Sequence, residues 1–250
     1  MFRRFCFAIV VFAFAAIAQS VDASSSRVRK ADKILRKHVA ARGGSSAIRD
    51  LRAMRVNGRI EQQGLELAFD LWMKRPNLSR MDLALRGQDV IQAFDGQTAW
   101  WVNPFFGAPK PQPMPDHLAK SVIRWSDFDG PLINHKKKRN VVEYFGEEIS
   151  DVGTVLKLRV TKRDGEVWNV YLDATSYLEL KRSFIETTGD RAHEVITYFE
   201  DYTEVMGVMV PRIIEGEGLH GQRYTMYFDS FEPNPDIDDG RFQMKSPDEQ

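Results

Sequence analysis

A mainly β fold is expected, laid out as a long antiparallel meander. Three observations predict it. After Met54, apolar residues recur with a period of two. Turn-forming pairs separate the alternating runs: Gln63-Gly64, Arg86-Gly87, Asp95-Gly96, Asp164-Gly165 and Gly189-Asp190. The runs follow one another without intervening helices, apart from one break near the middle of the chain. A sheet of that length has to curl to bury its apolar face.

Taken in order, the chain opens on Arg3 and Arg4, then an apolar run from Phe5 to Ala18. Small residues follow, and they offer cleavage after Ala18 or after Ala23. The run is too short to span a membrane, so residues 1–23 are expected to be a secretory signal peptide. Cys6, the sole cysteine, lies inside it. The mature chain would then have no disulfide, no thiolate metal site, no cysteine nucleophile and no lipid anchor. Losing Arg3, Arg4 and Asp22 takes the charge from 35 against 35 to 33 basic against 34 acidic residues. That balance gives no electrostatic reason to expect a nucleic-acid partner or an anionic surface. Residues 24–250 are expected to form one domain.

Residues 27–42 read as a helix, with Val28, Ala31, Ile34, Leu35, His38 and Val39 at helical spacing. Gly43-Gly44 ends it, and a short helix over 45–51 follows, with Ser45 as its N-cap. Strands are expected at 54–62, 66–74, 78–86, 89–95 and 98–103, and after the break at 139–149, 154–162, 166–173, 178–187, 192–205, 209–216 and 222–232. Leu67, Phe69, Leu71 and Met73 share one face of their strand, and Met81, Leu83 and Leu85 share one face of the next. Leu156, Leu158 and Val160 repeat the pattern, as do Trp168, Val170 and Leu172, and then Tyr224, Met226 and Phe228. One face is apolar and the other wet, as in a half-buried antiparallel sheet.

The break spans 104–138. Residues 104–115 hold five prolines and cannot pair into a sheet interior. Asp116 then suits a helix N-cap, with a helix over 117–125 whose Leu118, Val122, Ile123 and Trp125 are apolar. Residues 126–131 end it. A proline-hinged amphipathic helix inserted in a meander suits a lid over the mouth of a curled sheet. The alternative is a surface loop with a small core contact of its own.

Chemistry-bearing patterns are sparse. The histidines at 38, 117, 135, 193 and 220 show no metal-ligand spacing. Gly43-Gly44-Ser45-Ser46-Ala47 follows a helix where a nucleophile elbow follows a strand, and its last glycine is missing. Asp127 with Asp129, and Asp236 with Asp238 and Asp239, lack the ligand spacing of a calcium loop. The run His135-Lys136-Lys137-Lys138-Arg139 reads as a solvated turn or as a docking patch for an acidic partner. No catalytic residue, metal or cofactor is expected.

Two stretches carry a resemblance. Asp70-Leu71-Trp72-Met73-Lys74-Arg75-Pro76-Asn77-Leu78 is followed by Asp95-Gly96-Gln97-Thr98-Ala99-Trp100-Trp101-Val102-Asn103-Pro104-Phe105. Together they resemble the LolA-like carriers that sort lipoproteins to the bacterial outer membrane. The resemblance implies an incomplete antiparallel β-barrel of about 11–12 strands, with an N-terminal helix and a lid helix over an apolar cavity. It implies a soluble, periplasmic, non-enzymatic protein that takes up acyl chains of lipoproteins or other lipids without a cofactor. It also implies hand-over between inner- and outer-membrane partners, by a chain expected to be monomeric. The residues expected to line the cavity are Leu67, Phe69, Leu71, Met73, Met81, Leu83, Leu85 and Trp100. Those expected to control the lid are Arg75, Phe105, Leu118 and Val122. Parity places Arg75 at the rim on its own account, since it continues the row Leu67, Phe69, Leu71, Met73. The extended N-terminal helix and the extra strands depart from a typical carrier. The alternative function is an envelope-stress sensor that binds lipoproteins on the same fold.

Overall fold

The computed structural model describes residues 6–151, 153–188, 191–217 and 222–245. The side chains of residues 1–23, which hold the expected signal peptide and Cys6, lie outside the described ones. Helix α1 (Cys6–Ala41) is followed by α2 (Gly44–Asp50). Six strands come next: β1 (Ala53–Gln62), β2 (Leu65–Lys74), β3 (Leu78–Leu85), β4 (Gln88–Phe94), β5 (Ala99–Asn103) and β6 (Ala108–Pro113). Helices α3 (Asp116–Ser126) and α4 (His135–Lys138) interrupt the meander. It resumes as β7 (Val141–Ser150), β8 (Gly153–Thr161), β9 (Val167–Asp173), β10 (Glu179–Thr188), β11 (Arg191–Val205), β12 (Val208–Glu217) and β13 (Arg223–Pro233). Among the described residues no helix is long and apolar enough to cross a membrane.

All thirteen strands form one antiparallel sheet, in the order β6-β5-β4-β3-β2-β1-β13-β12-β11-β10-β9-β8-β7, and it does not close. The fold is an incomplete barrel with one strand more than the upper expectation. The added strand is β6, inside the proline-rich segment. A proline has no N–H for the ladder, so it is tolerated at a sheet edge, and β6 is an edge strand.

The order has a topological consequence. The chain winds outward from β1 to the β6 edge, then restarts at the opposite edge with β7 and winds back until β13 pairs with β1. Residues 114–140 therefore have to cross from one edge to the other. They do so over the concave face.

The concave face carries three apolar clusters side by side. At one end, Ala31 and Leu35 of α1 pack with Val142, Leu158, Val160, Val170 and Leu172 of β7–β9. At the other end, Leu118 and Val122 of α3 pack with Phe94, Ala99, Trp101 and Ala108. Between them lies the central cluster of β1, β2 and β11–β13, with Val56, Leu71, Phe199, Val210, Ile214 and Phe228. The corner from α1 to α2 sits on the turn before β12. Gly43 has φ 110°, and a Cβ there would run into the Gly207 carbonyl. Neither predicted serine or aspartate cap forms: the residue before α2 is Gly43 and the residue before α3 is Pro115. Ser45 and Asp116 are instead inside the first turns of those helices.

The convex face is wet except where the chain end folds back. Ile237 and Phe242 cover Ala53 and Trp72 there, and the Asn234 side chain accepts hydrogen bonds from the Arg52 and Ala53 amides at 2.7 and 3.1 Å.

Candidate functional site

Between the α1-packed end and the α3-packed end the concave face encloses a cavity of about 110 Å³. Its floor is apolar: Met54 and Val56 of β1, Leu71 and Met73 of β2, Phe199 of β11, Val208, Val210 and Ile214 of β12, and Phe228 and Phe231 of β13. Strand register explains the set. Val56 lies opposite Leu71 on one side and Phe231 on the other, so one row across three strands faces the same way. The roof is the end of α3 and the turn after it, Arg124, Trp125 and Asp127 to Gly130.

Side chains hold the roof down. Arg75 follows directly after β2 and reaches two carbonyls at the end of α2, Leu51 O through Nε at 2.7 Å and Ile48 O through Nη2 at 2.6 Å. Its Nη1 is ion-paired to Asp129 of the roof, and the guanidinium lies 4.8 Å from the Phe128 ring centre. One planar fork thus joins the last, otherwise unpaired carbonyls of a helix to the crossover. Lys138 of α4 adds a second tie, donating to Asp127 Oδ1 at 2.5 Å and to Gly130 O at 2.6 Å. Arg124 supplies a third at the end of α3, with Nη2 on Glu166 Oε1 at 2.7 Å and Nη1 on Glu186 Oε1 at 2.9 Å. Burial pushes the Glu166 carboxyl up, but Lys162 and Arg124 outweigh it and hold it below the usual range. Beside the cavity, Tyr224 packs on the central cluster, and burial pushes its phenol up to about 12, against a hydrogen bond with Trp125.

Inside the cavity, Arg182 of β10 forms a forked pair with Glu179, Nε to Oε1 at 2.6 Å and Nη2 to Oε2 at 2.9 Å. Tyr202 donates to the Glu179 carbonyl at 2.8 Å. Gly130 of the roof has φ 72° and sits on this guanidinium, where a Cβ would stand 3.1 Å from Arg182 Nη2. A side chain there would be strained by the positive φ and would need Arg182 to give by a few tenths of an ångström. Beside the site, His38 is buried and its Nδ1 donates to Tyr177 O at 2.8 Å, which joins α1 to the turn before β10. Burial lowers the His38 pKa.

Of the residues expected to line the cavity, Leu71 and Met73 do. Phe69 packs edge-on against Phe228 at 5.8 Å in the core beside it, and Met81 and Leu83 pack half-buried on the same cluster. Leu67 and Leu85 stand further along their strands, outside the lining. Trp100 is on the opposite face. Its neighbour Trp101 faces α3, so strand parity turns Trp100 outward, where Nε1 donates to Phe242 O at 2.7 Å under the chain end. Arg75 is at the rim and touches the crossover, though through a carboxylate and an aromatic ring, with the carbonyls coming from α2. Leu118 and Val122 face the sheet and anchor α3 to it without reaching the cavity. Phe105 is exposed in a turn before β6. Asp127 and Asp129, which lack calcium-loop spacing, have a structural use: Asp127 binds Lys138 and Asp129 binds Arg75. The basic run expected as a turn is a short helix whose Lys138 points into the crossover.

The sequence reading missed the contribution of the second half of the chain, above all Val208, Val210, Ile214 and Phe231. It also missed the polar group Arg42, Arg182, Glu179 and Tyr202. The alternation in 208–216 was visible as a strand face. Which sheet neighbour it would meet was not.

The architecture is a half-open antiparallel barrel whose apolar cavity is roofed by one crossover. The fold is shared with solved structures, among them a LolA superfamily protein. A LolA superfamily protein from Nitrosomonas europaea is 16% identical, with a TM-score of 0.57, over 85% of this chain and 97% of that one. A DUF1329 family protein from Desulfovibrio piger is 12% identical, with a TM-score of 0.58, over 85% and 96%. A domain from Vibrio parahaemolyticus named for outer membrane lipoprotein sorting is 11% identical, with a TM-score of 0.58, over 86% and 97%. No protein-family model and no curated protein matches the sequence. At these identities the likeness is one of fold.

Proposed function

We propose that the protein is exported to the periplasm and carries acyl chains of lipoproteins or other lipids in its cavity, moving them toward the outer membrane. The observation that carries the reading is how the cavity is built: an apolar floor under a roof that side-chain ties hold down and no sheet pairing fixes. The lipoprotein-sorting name of one structural neighbour supports the cargo class. Each buried methylene gains about 0.8 kcal/mol against water, so a long acyl chain gains on the order of 10 kcal/mol. A bilayer offers the same gain. Small biases from the roof and from docking partners then set the direction of transfer, with no catalyst.

The cavity, at about 110 Å³, is smaller than the roughly 300–1,000 Å³ that usually encloses a ligand. Loading a lipid would therefore require the cavity to widen, and residues 124–130, held by side-chain ties, are the lid that moves. Purified mature protein should yield lipid on organic extraction and mass spectrometry, and the delipidated protein should bind a fluorescent fatty acid. Protein that carries no lipid and binds no probe would sink the carrier reading. Export has its own test. The intact mass of the mature protein should begin at Gln19 or Ser24, and a membrane-bound product that keeps Phe5 to Ala18 would contradict it.

A further inference from the structure

Four arginines line the cavity: Arg42, Arg75, Arg124 and Arg182. Three of them are matched to carboxylates, Arg75 to Asp129, Arg124 to Glu166 and Glu186, and Arg182 to Glu179. The remaining lining carboxylate, Asp127, is taken by Lys138. Arg42 is the exception. It follows α1 directly and is half-buried at the rim, and among the described residues its only side-chain bond runs from Nε to Met209 O at 2.7 Å. The Met209 amide returns a bond to Arg42 O at 3.1 Å, so the residue is held at both ends of its stem. Its two Nη atoms, with four N–H donors in one plane, have no acceptor among the described residues.

A guanidinium fixed by its Nε at the mouth of an apolar cavity presents the fork that fits a carboxylate or phosphate in two parallel hydrogen bonds. Its site is half wet, so the free cation is tolerated when no ligand is present. Arg182 and its carboxylate stand deeper and offset each other, which leaves the positive charge of Arg42 uncompensated where a head group would emerge. Acyl chains joined through neutral ester or amide linkages would leave Arg42 unanswered.

We infer that the ligand is a lipid with its own anionic head, a carboxylate or a phosphate monoester, whose tail enters between β2 and β12 while its head is gripped by Arg42. The inference rests on the carrier reading and narrows it.

The test is a binding series on the delipidated mature protein at low salt: dodecanoate, dodecyl phosphate, dodecanol and inorganic phosphate, with parent, Arg42→Met and Arg42→Lys. In the parent both anionic amphiphiles should bind at least about tenfold tighter than dodecanol, as a charge-assisted pair of hydrogen bonds requires. Arg42→Met should bring both down to the level at which that variant binds dodecanol. Arg42→Lys keeps the charge and loses the fork, and should fall between. Which of the two anions binds better identifies the head group. Inorganic phosphate alone should not compete. Equal binding of dodecanol and dodecanoate by the parent, or a preference that survives in Arg42→Met, overturns the head-group inference and leaves the cavity reading intact. Phosphate that competes without a tail overturns it in favour of a free-anion site. If none of the three chain compounds binds, the cavity reading fails and the inference with it. Should Arg42→Met fail to fold by circular dichroism, the comparison within the parent and Arg42→Lys decides.

Discussion

The two halves of the concave face solve the same problem in different ways. Under α1, β7–β9 are packed solid. Leu158, Val160, Val170 and Leu172 are wholly excluded from solvent, and a regular helix lies along them. In the centre the same kind of apolar sheet face is left partly unfilled and is roofed by a turn. One half is held by apolar burial, which is non-directional and is lost only on unfolding. The other is held by a few directed contacts from Arg75, Lys138 and Arg124, which can break one by one while the sheet stays folded.

The difference is open to direct attack. Leu158→Ala empties a site that no solvent reaches, and it should cost about 2–5 kcal/mol in urea unfolding. Met73→Ala beside the existing void should cost about 1–2 kcal/mol. Similar costs at the two sites would mean the centre is as tightly filled as the α1 end.

Leu71→Glu brings an unpaired charge to the cavity floor. Binding of a fluorescent fatty acid should fall roughly tenfold or more while the circular dichroism spectrum is kept. Unchanged binding would place the ligand elsewhere on the molecule.

Arg75→Leu removes the ties to Asp129, Leu51 O and Ile48 O and keeps apolar bulk. A loss of about 1–3 kcal/mol makes opening roughly 5- to 150-fold easier. Amide exchange at residues 127–130 should speed up by that factor, while exchange under α1 stays as it was. Equal exchange in both proteins would show that Arg75 does not restrain the roof.

The smallest effect concerns pH. His38 is buried as the neutral ring, and burial lowers its pKa below the ordinary 6.5. The unfolded chain therefore takes up a proton first as pH falls. Stability is full above 6.5 and declines below it, until the folded ring titrates as well. One proton limits the slope to about 1.4 kcal/mol per pH unit. His38→Asn keeps a donor for Tyr177 O and should flatten the slope in that window. A slope as steep in the variant would assign it to other groups.

Much of the architecture was legible because it is local. Alternation and turn pairs placed twelve of the thirteen strands to within two residues at each end. The exception, Ala108–Pro113, hid because prolines signal a break in any strand and only the sheet order shows an edge where they are harmless. Parity also put Leu71 and Met73 on the cavity side and Arg75 at its rim, since side chains two apart along a strand share a face whatever the strand pairs with. Trp100 was misplaced for the complementary reason. Both faces of β5 are covered, one by α3 and one by the chain end, so a buried tryptophan there does not say which way it points.

Only the tertiary structure decided what the cavity is. Val56 meets Phe231 from the far end of the chain, and β12 brings Val208 and Val210 to a floor begun by β1 and β2. No periodicity encodes a register between strands that far apart in sequence. The roof was decided in the same way. Residues 104–138 read as an insertion with an amphipathic helix, but residues 114–140 cross the mouth because β6 and β7 are the opposite edges of an open sheet. The arginines follow suit. Arg75, Lys138 and Arg182 each meet a carboxylate supplied by the folded chain, and among the described residues Arg42 meets none. Composition counts charges, and only packing decides which of them are left without a partner.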